Sequence, residues 1–216
     1  MTAKVIIFDF DGTIADSLDA VVNITNRLAV EFGYQPANLE DIEKIKSLSS
    51  REIIQFSGVS IFKLPFLLRK VRVRLNNQIR DLKPFPGIKE TFTELKSQGN
   101  QLGIITSNSK ENVTIFLKEN DFIGLFDFIY SAPTIFGKHK VINSFSKKQN
   151  IQASEMVYVG DETRDIEAAR KSRIKVISVS WGFNSKEVLA KHQPDFLVNK
   201  PSELLKVIKS LQEQVL

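Results

Sequence analysis

Cysteine is absent from the 216 residues, which excludes disulfides, zinc-thiolate sites, iron–sulfur clusters and a cysteine nucleophile. Histidine occurs only twice, too seldom for a polyhistidine metal centre. Long apolar runs are missing as well. Nothing approaches the roughly 20 residues that span a bilayer, and the short apolar stretch at residues 5–8, closed by Asp9, lacks the length of a signal-peptide core. These absences lead to the expectation of a cytoplasmic protein, monomer or homodimer, without membrane contact. There is no internal repeat or low-complexity tract. What is present is ordinary: 42% hydrophobic residues, enough to bury a core and to form one domain with a sizeable insertion.

The formal net charge is +5, and much of the excess sits in one place. Residues 51–83 contain eight basic side chains (Arg51, Lys63, Arg69, Lys70, Arg72, Arg74, Arg80 and Lys83) against two acidic ones, Glu52 and Asp81. A solvated helix face accounts for such a surplus, and so does a field that steers anionic substrates, strongest at low ionic strength. A nonenzymatic regulatory or nucleic-acid-binding module using this basic segment is the reading from a different class; no nucleic acid partner is expected.

A β-branched and apolar run at residues 4–10 stops at Asp-Gly-Thr and predicts a first strand ending in a polar turn. From 17 to 32 apolar residues recur at helical spacing, with Gly33 as a stop. Segments near 39–45, 51–56 and 61–80 continue in helical or loop style, so residues 16–83 are expected to form a small helical subdomain. After Pro84 and Pro86 the pattern alternates. Helices are predicted at 88–97, 110–120, 141–150, 165–172 and 202–212, and strands at 101–106, 126–130, 156–159, 175–179 and 196–198. Strands separated by single helices indicate βαβ units and a mostly parallel sheet, an α/β fold with helices on both faces.

Open parallel sheets bind ligands beyond the carboxyl ends of their strands. Three predicted strands end in chemically related residues: Asp9-Phe10-Asp11-Gly12-Thr13, Thr106-Ser107-Asn108-Ser109, and Gly160 to Asp165. Carboxylates converging there from separate strands repel one another unless a cation lies among them. Oxygen ligands without thiolate point to magnesium, and magnesium favours phosphate as a further ligand. Phosphoryl transfer follows as the reaction class. Asp9 and Asp11, two apart, suit two jobs: one carboxylate attacks phosphorus, the other exchanges a proton with the leaving alcohol and the attacking water. Gly12 permits a tight exit around phosphate. Thr106 offers a hydroxyl beside a helix N-terminus, an anion site that also serves as an ordinary cap through Asn108 or Ser109. Asp161 is a metal-ligand candidate, and Asp165 is either a second one or a partner of its own helix dipole. Lys138, with Lys140 as rival, supplies the positive charge a transferring phosphoryl group requires.

The motifs FDFDGTIADS (8–17), IITSNS (104–109), FGKHK (136–140) and VGDETRDIEAA (159–169) together resemble the haloacid dehalogenase-like hydrolase superfamily, in the style of its phosphoglycolate phosphatase-like branch. The resemblance runs through nearly the whole chain. It implies a Rossmann-like core from residues 1–15 and 84–216 with an α-helical cap at 16–83. It also implies a magnesium-dependent phosphatase for a small phosphorylated metabolite, with Asp9 as nucleophile and Asp11 as general acid/base. Thr106 and Lys138 would bind phosphate, with Gly12, Ser107 and Asn108 beside them, and Asp9, Asp161 and Asp165 would hold Mg2+ together with the backbone carbonyl of Asp11. Relatives often follow the third-motif lysine with a proline pair, where His139 and Lys140 stand here. Trp181-Gly182 resembles a loop of the same branch. A sugar-phosphate mutase would keep every core residue and differ in its cap. A phosphonate-cleaving relative would need a cap lysine, for which Lys44, Lys46 and Lys63 are available outside any recognisable motif.

Overall fold

A computed structural model describes residues 4–132, 134 and 136–213. In chain order the first half comprises β1 (Val5–Phe8), β2 (Ala15–Asp16), α1 (Leu18–Phe32), α2 (Leu39–Lys46), α3 (Ser50–Ser57), α4 (Leu64–Asn76), β3 (Lys83–Pro84), α5 (Ile88–Ser97) and β4 (Gln101–Thr106). The second half comprises α6 (Lys110–Glu119), β5 (Phe128–Ser131), α7 (Lys138–Gln149), β6 (Met156–Gly160), α8 (Thr163–Ser172), β7 (Lys175–Val179), α9 (Lys186–Lys191), β8 (Phe196–Val198) and α10 (Ser202–Glu213). Six strands form one parallel sheet in the order β5-β4-β1-β6-β7-β8.

The sequence of β1 explains its central place. Ile6 and Phe8 point into one hydrophobic core, Val5 and Ile7 into the other, so both faces of the strand are apolar and both are covered. On the first face Phe8 and Phe126 meet Phe92 of α5 edge to face, and on the second Tyr158 shares a core with Ile142 of α7 and Ile166 of α8. Gly103 on β4 stands opposite Phe128 on β5, whose ring occupies the space a side chain at 103 would need. The chain leaves β1 for β4 and β5, then returns to its other side for β6, β7 and β8. The direction of winding thus reverses at β1, and in sheets of this kind the ligand crevice lies at that point, beyond the carboxyl ends of β1, β4 and β6.

The helices α1–α4 are inserted between β1 and β4. The short antiparallel ribbon β2–β3 closes the insertion, pairing Ala15 with Pro84 and Asp16 with Lys83. Ile24, Leu28 and Phe32 of α1 meet Leu67, Val71 and Leu75 of α4, all of them buried. In contrast, α2 buries none of its side chains fully. Capping boxes start α2 (Asn38 with Asp41) and α3 (Ser49 with Glu52), and Gly33, at φ 78°, ends α1 in the left-handed conformation few other residues adopt.

Several boundaries differ from those the sequence predicts. The first strand ends at Phe8 rather than residue 10, because the Phe10 carbonyl accepts from the amides of Thr13, Ile14 and Ala15 and turns the chain out of the sheet. Asp9 and Asp11 therefore lie beyond the strand instead of sharing one of its faces. Helix α7 begins at Lys138, three residues before the apolar periodicity starts. The ribbon β2–β3 and the six-residue helix α9, capped by Ser185, carry too few residues to show a period. Among the described residues no helix is long and apolar enough to cross a membrane.

Candidate active site

Asp9 is the first residue past β1. Its amide still bonds the Val159 carbonyl at 2.8 Å, a last rung of the sheet that holds it rigidly at the crevice. One carboxylate oxygen accepts from the Phe10 amide at 2.7 Å, and the other pairs with Lys138 Nζ. Lys138 Nζ also donates to Asp165 Oδ1 at 2.5 Å, and Lys138, Asp9 and Asp165 are all buried. Burial alone would pull the Lys138 ammonium down. Asp165 and Asp9 outweigh it and hold the group above its usual value.

Asp161 follows β6. Its two oxygens accept from the Thr13 hydroxyl and the Phe183 amide, each at 2.7 Å, across 148 and 22 residues of chain. Asp165 sits in the first turn of α8, where its second oxygen accepts from the Glu162 amide at 3.1 Å. Oxygens of Asp9, Asp161 and Asp165 lie within 4.8 Å of one another. Burial, then Glu162, Asp9 and Asp165, push Asp161 well above the usual carboxylate range. Asp165 is pushed up to about 6, first by burial and then by Asp9, against the opposing pull of Lys138. Three buried carboxylates whose charges oppose one another, with no nitrogen or sulfur donor among them, fit a hard divalent cation such as Mg2+.

Asp11 lies apart from that cluster. Its carboxylate accepts from the Ser17 hydroxyl at 3.0 Å and from Asn108 Nδ2 at 3.0 and 3.3 Å. Burial and then the charge of Asp9 push it up to about 6, while the bonds from Ser17 and Asn108 pull the other way. Thr106 ends β4, buried, and its oxygen accepts from the Asn108 amide at 3.0 Å. Gly12, at φ 74°, passes so close to Asp161 that a Cβ would collide with the carboxylate.

The structure thus brings Asp9, Gly12, Lys138, Asp161 and Asp165 into one cluster, with Asp11, Thr106 and Asn108 beside it. Ser107 faces Arg164, whose Nη1 lies 3.3 Å from its hydroxyl. Lys140 is exposed, about half a turn around α7 from Lys138. Several participants are absent from the sequence reading. Thr13 and the Phe183 amide orient Asp161, Ser17 orients Asp11, and Arg164 pairs with Glu162 at the crevice. Thr13 and Ser17 lie within the first motif, so its polar residues carried a usable signal. Phe183 contributes a main-chain amide, which no side-chain pattern reveals. Gly182 has the same character: a Cβ there would collide with Asp161 and with the Gly12 carbonyl. Trp181 next to it donates to the Thr13 carbonyl at 3.2 Å, so this loop clamps the first motif.

A cavity of roughly 410 Å3 lies between α1, α2, α3 and α4, walled mainly by apolar side chains such as Val21, Ile42, Ile53 and Leu67, with Glu162 and Phe183 at its inner end. None of the clustered aspartates lines it.

A doubly wound parallel sheet with acidic residues and a buried lysine at its switch point defines an α/β enzyme of the phosphoryl-handling kind. The profile of the haloacid dehalogenase-like hydrolase family matches residues 6–179, and the chain belongs to that family. It is 37% identical to a phosphoglycolate phosphatase of Synechococcus elongatus over 98% of this chain and 100% of that protein. With the pyrophosphatase PpaX of Bacillus velezensis it shares 25% identity over 94% of each chain. The crystal structure of a predicted phosphatase from Clostridium acetobutylicum superposes with a TM-score of 0.82, covering 97% of this chain and 100% of that one at 23% identity, a likeness of fold.

Proposed function

We propose that this protein is a magnesium-dependent phosphatase that hydrolyses a small phosphate monoester, phosphoglycolate foremost, through a phosphoaspartate on Asp9. The observation that carries this reading is the Asp9 carboxylate, held by Val159 and Phe10, paired with Lys138 and set within a three-carboxylate cluster beside a second, separately held aspartate. The substrate follows from the relative of matching length that shares 37% identity.

Asp9 attacks phosphorus as its bond to the leaving oxygen breaks, and Asp11 delivers the proton that oxygen takes up. Asp11 then removes a proton from the water that attacks the phosphoaspartate, which frees Asp9 and releases phosphate. An environment that raises Asp11 to about 6 keeps both of its protonation states accessible near neutral pH. Lys138 and the Thr106 hydroxyl bind phosphoryl oxygens, with Gly12, Ser107 and Asn108 shaping the surrounding loops. Mg2+, held by Asp9, Asp161, Asp165 and the Asp11 carbonyl, would neutralise charge on the transferring group. The helices of residues 16–83 act as a cap over the crevice, and the core is formed by residues 1–15 and 84–216.

Phosphate release from phosphoglycolate tests the reading. Activity is expected with Mg2+, loss to background with a chelator, and recovery on adding Mg2+ back. Activity indifferent to chelation would remove the metal from the scheme, and no release from any ester would remove the phosphatase.

The Trp181-Gly182-Phe183 loop provides a further expectation. Gly182→Ala forces the loop away from Asp161, and the concentration of Mg2+ giving half-maximal activity should rise about 10- to 100-fold, as for other residues that orient a metal ligand. An unchanged Mg2+ dependence would show that Asp161 needs no such support.

A further inference from the structure

Arg72 on α4 differs from the basic residues beside it. Arg69 and Lys70 are exposed, and Lys70 pairs with Glu31. Arg72 is half-buried, and its Nη2 is a buried donor without a hydrogen-bond partner among the described residues. A guanidinium nitrogen removed from water and left unpaired carries a penalty that an incoming acceptor would relieve.

Hydrogen bonds place the main chain of this residue beside the Asp11 site. Asn112 Nδ2 donates to the Arg72 carbonyl at 3.0 Å and to Asn108 Oδ1 at 2.9 Å, and Asn108 in turn donates to Asp11. The cap helix is therefore tied to the Asp11 site at residue 72. Burial and then the charge of Arg164 hold Arg72 below its usual value, and Asp11 partly offsets them. Arg164 approaches from α8, on the sheet side, and its charge is met by Glu162. No ion pair among the described residues does the same for Arg72.

Resting on the phosphatase reading above, we infer that Arg72 determines substrate specificity by binding a second anionic group, a carboxylate or phosphate, carried on the leaving side of the scissile bond. Such an anion accepts from Nη2, and its charge lowers the repulsion between Arg72 and Arg164. A neutral leaving group leaves the buried nitrogen unpaired and is selected against. The basic surplus of the cap thus includes one residue that makes contact, distinct from those that contribute only a field.

The test compares kcat/KM for 2-phosphoglycolate and for inorganic pyrophosphate with that for 2-hydroxyethyl phosphate, a neutral-headed ester of similar length. Ratios taken within one preparation are independent of the fraction folded. In Arg72→Met the ratio of at least one doubly anionic substrate to the neutral ester should fall about 30-fold or more, the size of a lost charge-assisted hydrogen bond. Arg72→Lys should retain part of it, and Arg69→Met, exposed on the same helix, should keep the wild-type ratio. A fall confined to phosphoglycolate identifies the group read as a carboxylate, and one confined to pyrophosphate as a phosphate. If Arg72→Met lowers all three substrates equally, or Arg69→Met lowers the ratio as much, the inference is overturned and the phosphatase reading stands. If the wild-type protein releases phosphate from none of the three, both are overturned.

Discussion

Asp9→Asn is expected to reduce phosphate release by about 10^4-fold or more, the scale on which removal of a nucleophile acts. The amide keeps the size of the side chain and can still accept from the Phe10 amide, so the loop after β1 should hold its path. It lacks the negative oxygen that must bond to phosphorus. Lys138 loses one ionic partner but retains Asp165, which argues that the variant folds. Two readouts separate lost chemistry from lost structure. Circular dichroism should show the wild-type helix content, and rapid quenching with labelled substrate should trap a phosphoprotein in the wild type and none in the variant. Substantial turnover by Asp9→Asn would exclude the phosphoaspartate route.

Lys138→Met is expected to have the largest effect on stability. The substitution leaves Asp9 and Asp165 buried without their shared cation, and breaking a buried ion pair in this way costs about 3–5 kcal/mol. For a chain of this size that corresponds to a fall in Tm of roughly 6–20 °C. An exposed pair such as Arg80–Glu119 sets the contrast, since its removal should cost at most about 1 kcal/mol. Because Asp9 and Asp165 belong to the carboxylate cluster, Mg2+ should raise the Tm of Lys138→Met by binding the folded form. Activity should fall as well, through loss of a phosphoryl-binding charge. A variant melting within about 2 °C of the wild type would show that this ion pair does not carry the stability assigned to it.

The legible parts of the fold are those with a strong period or a strong stop. The strand pairs on either side of β1 are short, mostly apolar runs, and α1 is an apolar stripe closed by Gly33. Helix α7 was legible only from Val141 onward, because the apolar stripe begins there while its first residue is a charged side chain that tertiary structure buries. The two-residue strands β2 and β3 are beyond any periodic signal. They exist because the chain must leave and re-enter the sheet at neighbouring points.

The candidate site divides in the same way. Asp9, Asp11, Thr106, Lys138, Asp161 and Asp165 stand at strand ends or helix starts, so their chemistry and their order along the chain could be read directly. The choice between Lys138 and Lys140 could not. Both are lysines in one loop-to-helix segment, and only packing buries one beside Asp9 and leaves the other exposed. Arg72 likewise reads as one of eight basic residues until α4 is placed over Asn112.

By itself, then, the sequence determined an α/β chain with acidic residues at the ends of parallel strands, and hence the class of chemistry. Local spacing is enough for that, since period and turn residues act over a few positions. Tertiary structure alone decided which groups meet. Thr13 bonds Asp161 and Lys138 bonds Asp9, across 148 and 129 residues, because β1 lies between β4 and β6 and the chain reverses its winding there. The apolar run of β1 marks a strand covered on both faces, but which strands flank it, and so where the winding reverses, depends on the packing of elements distant in the chain.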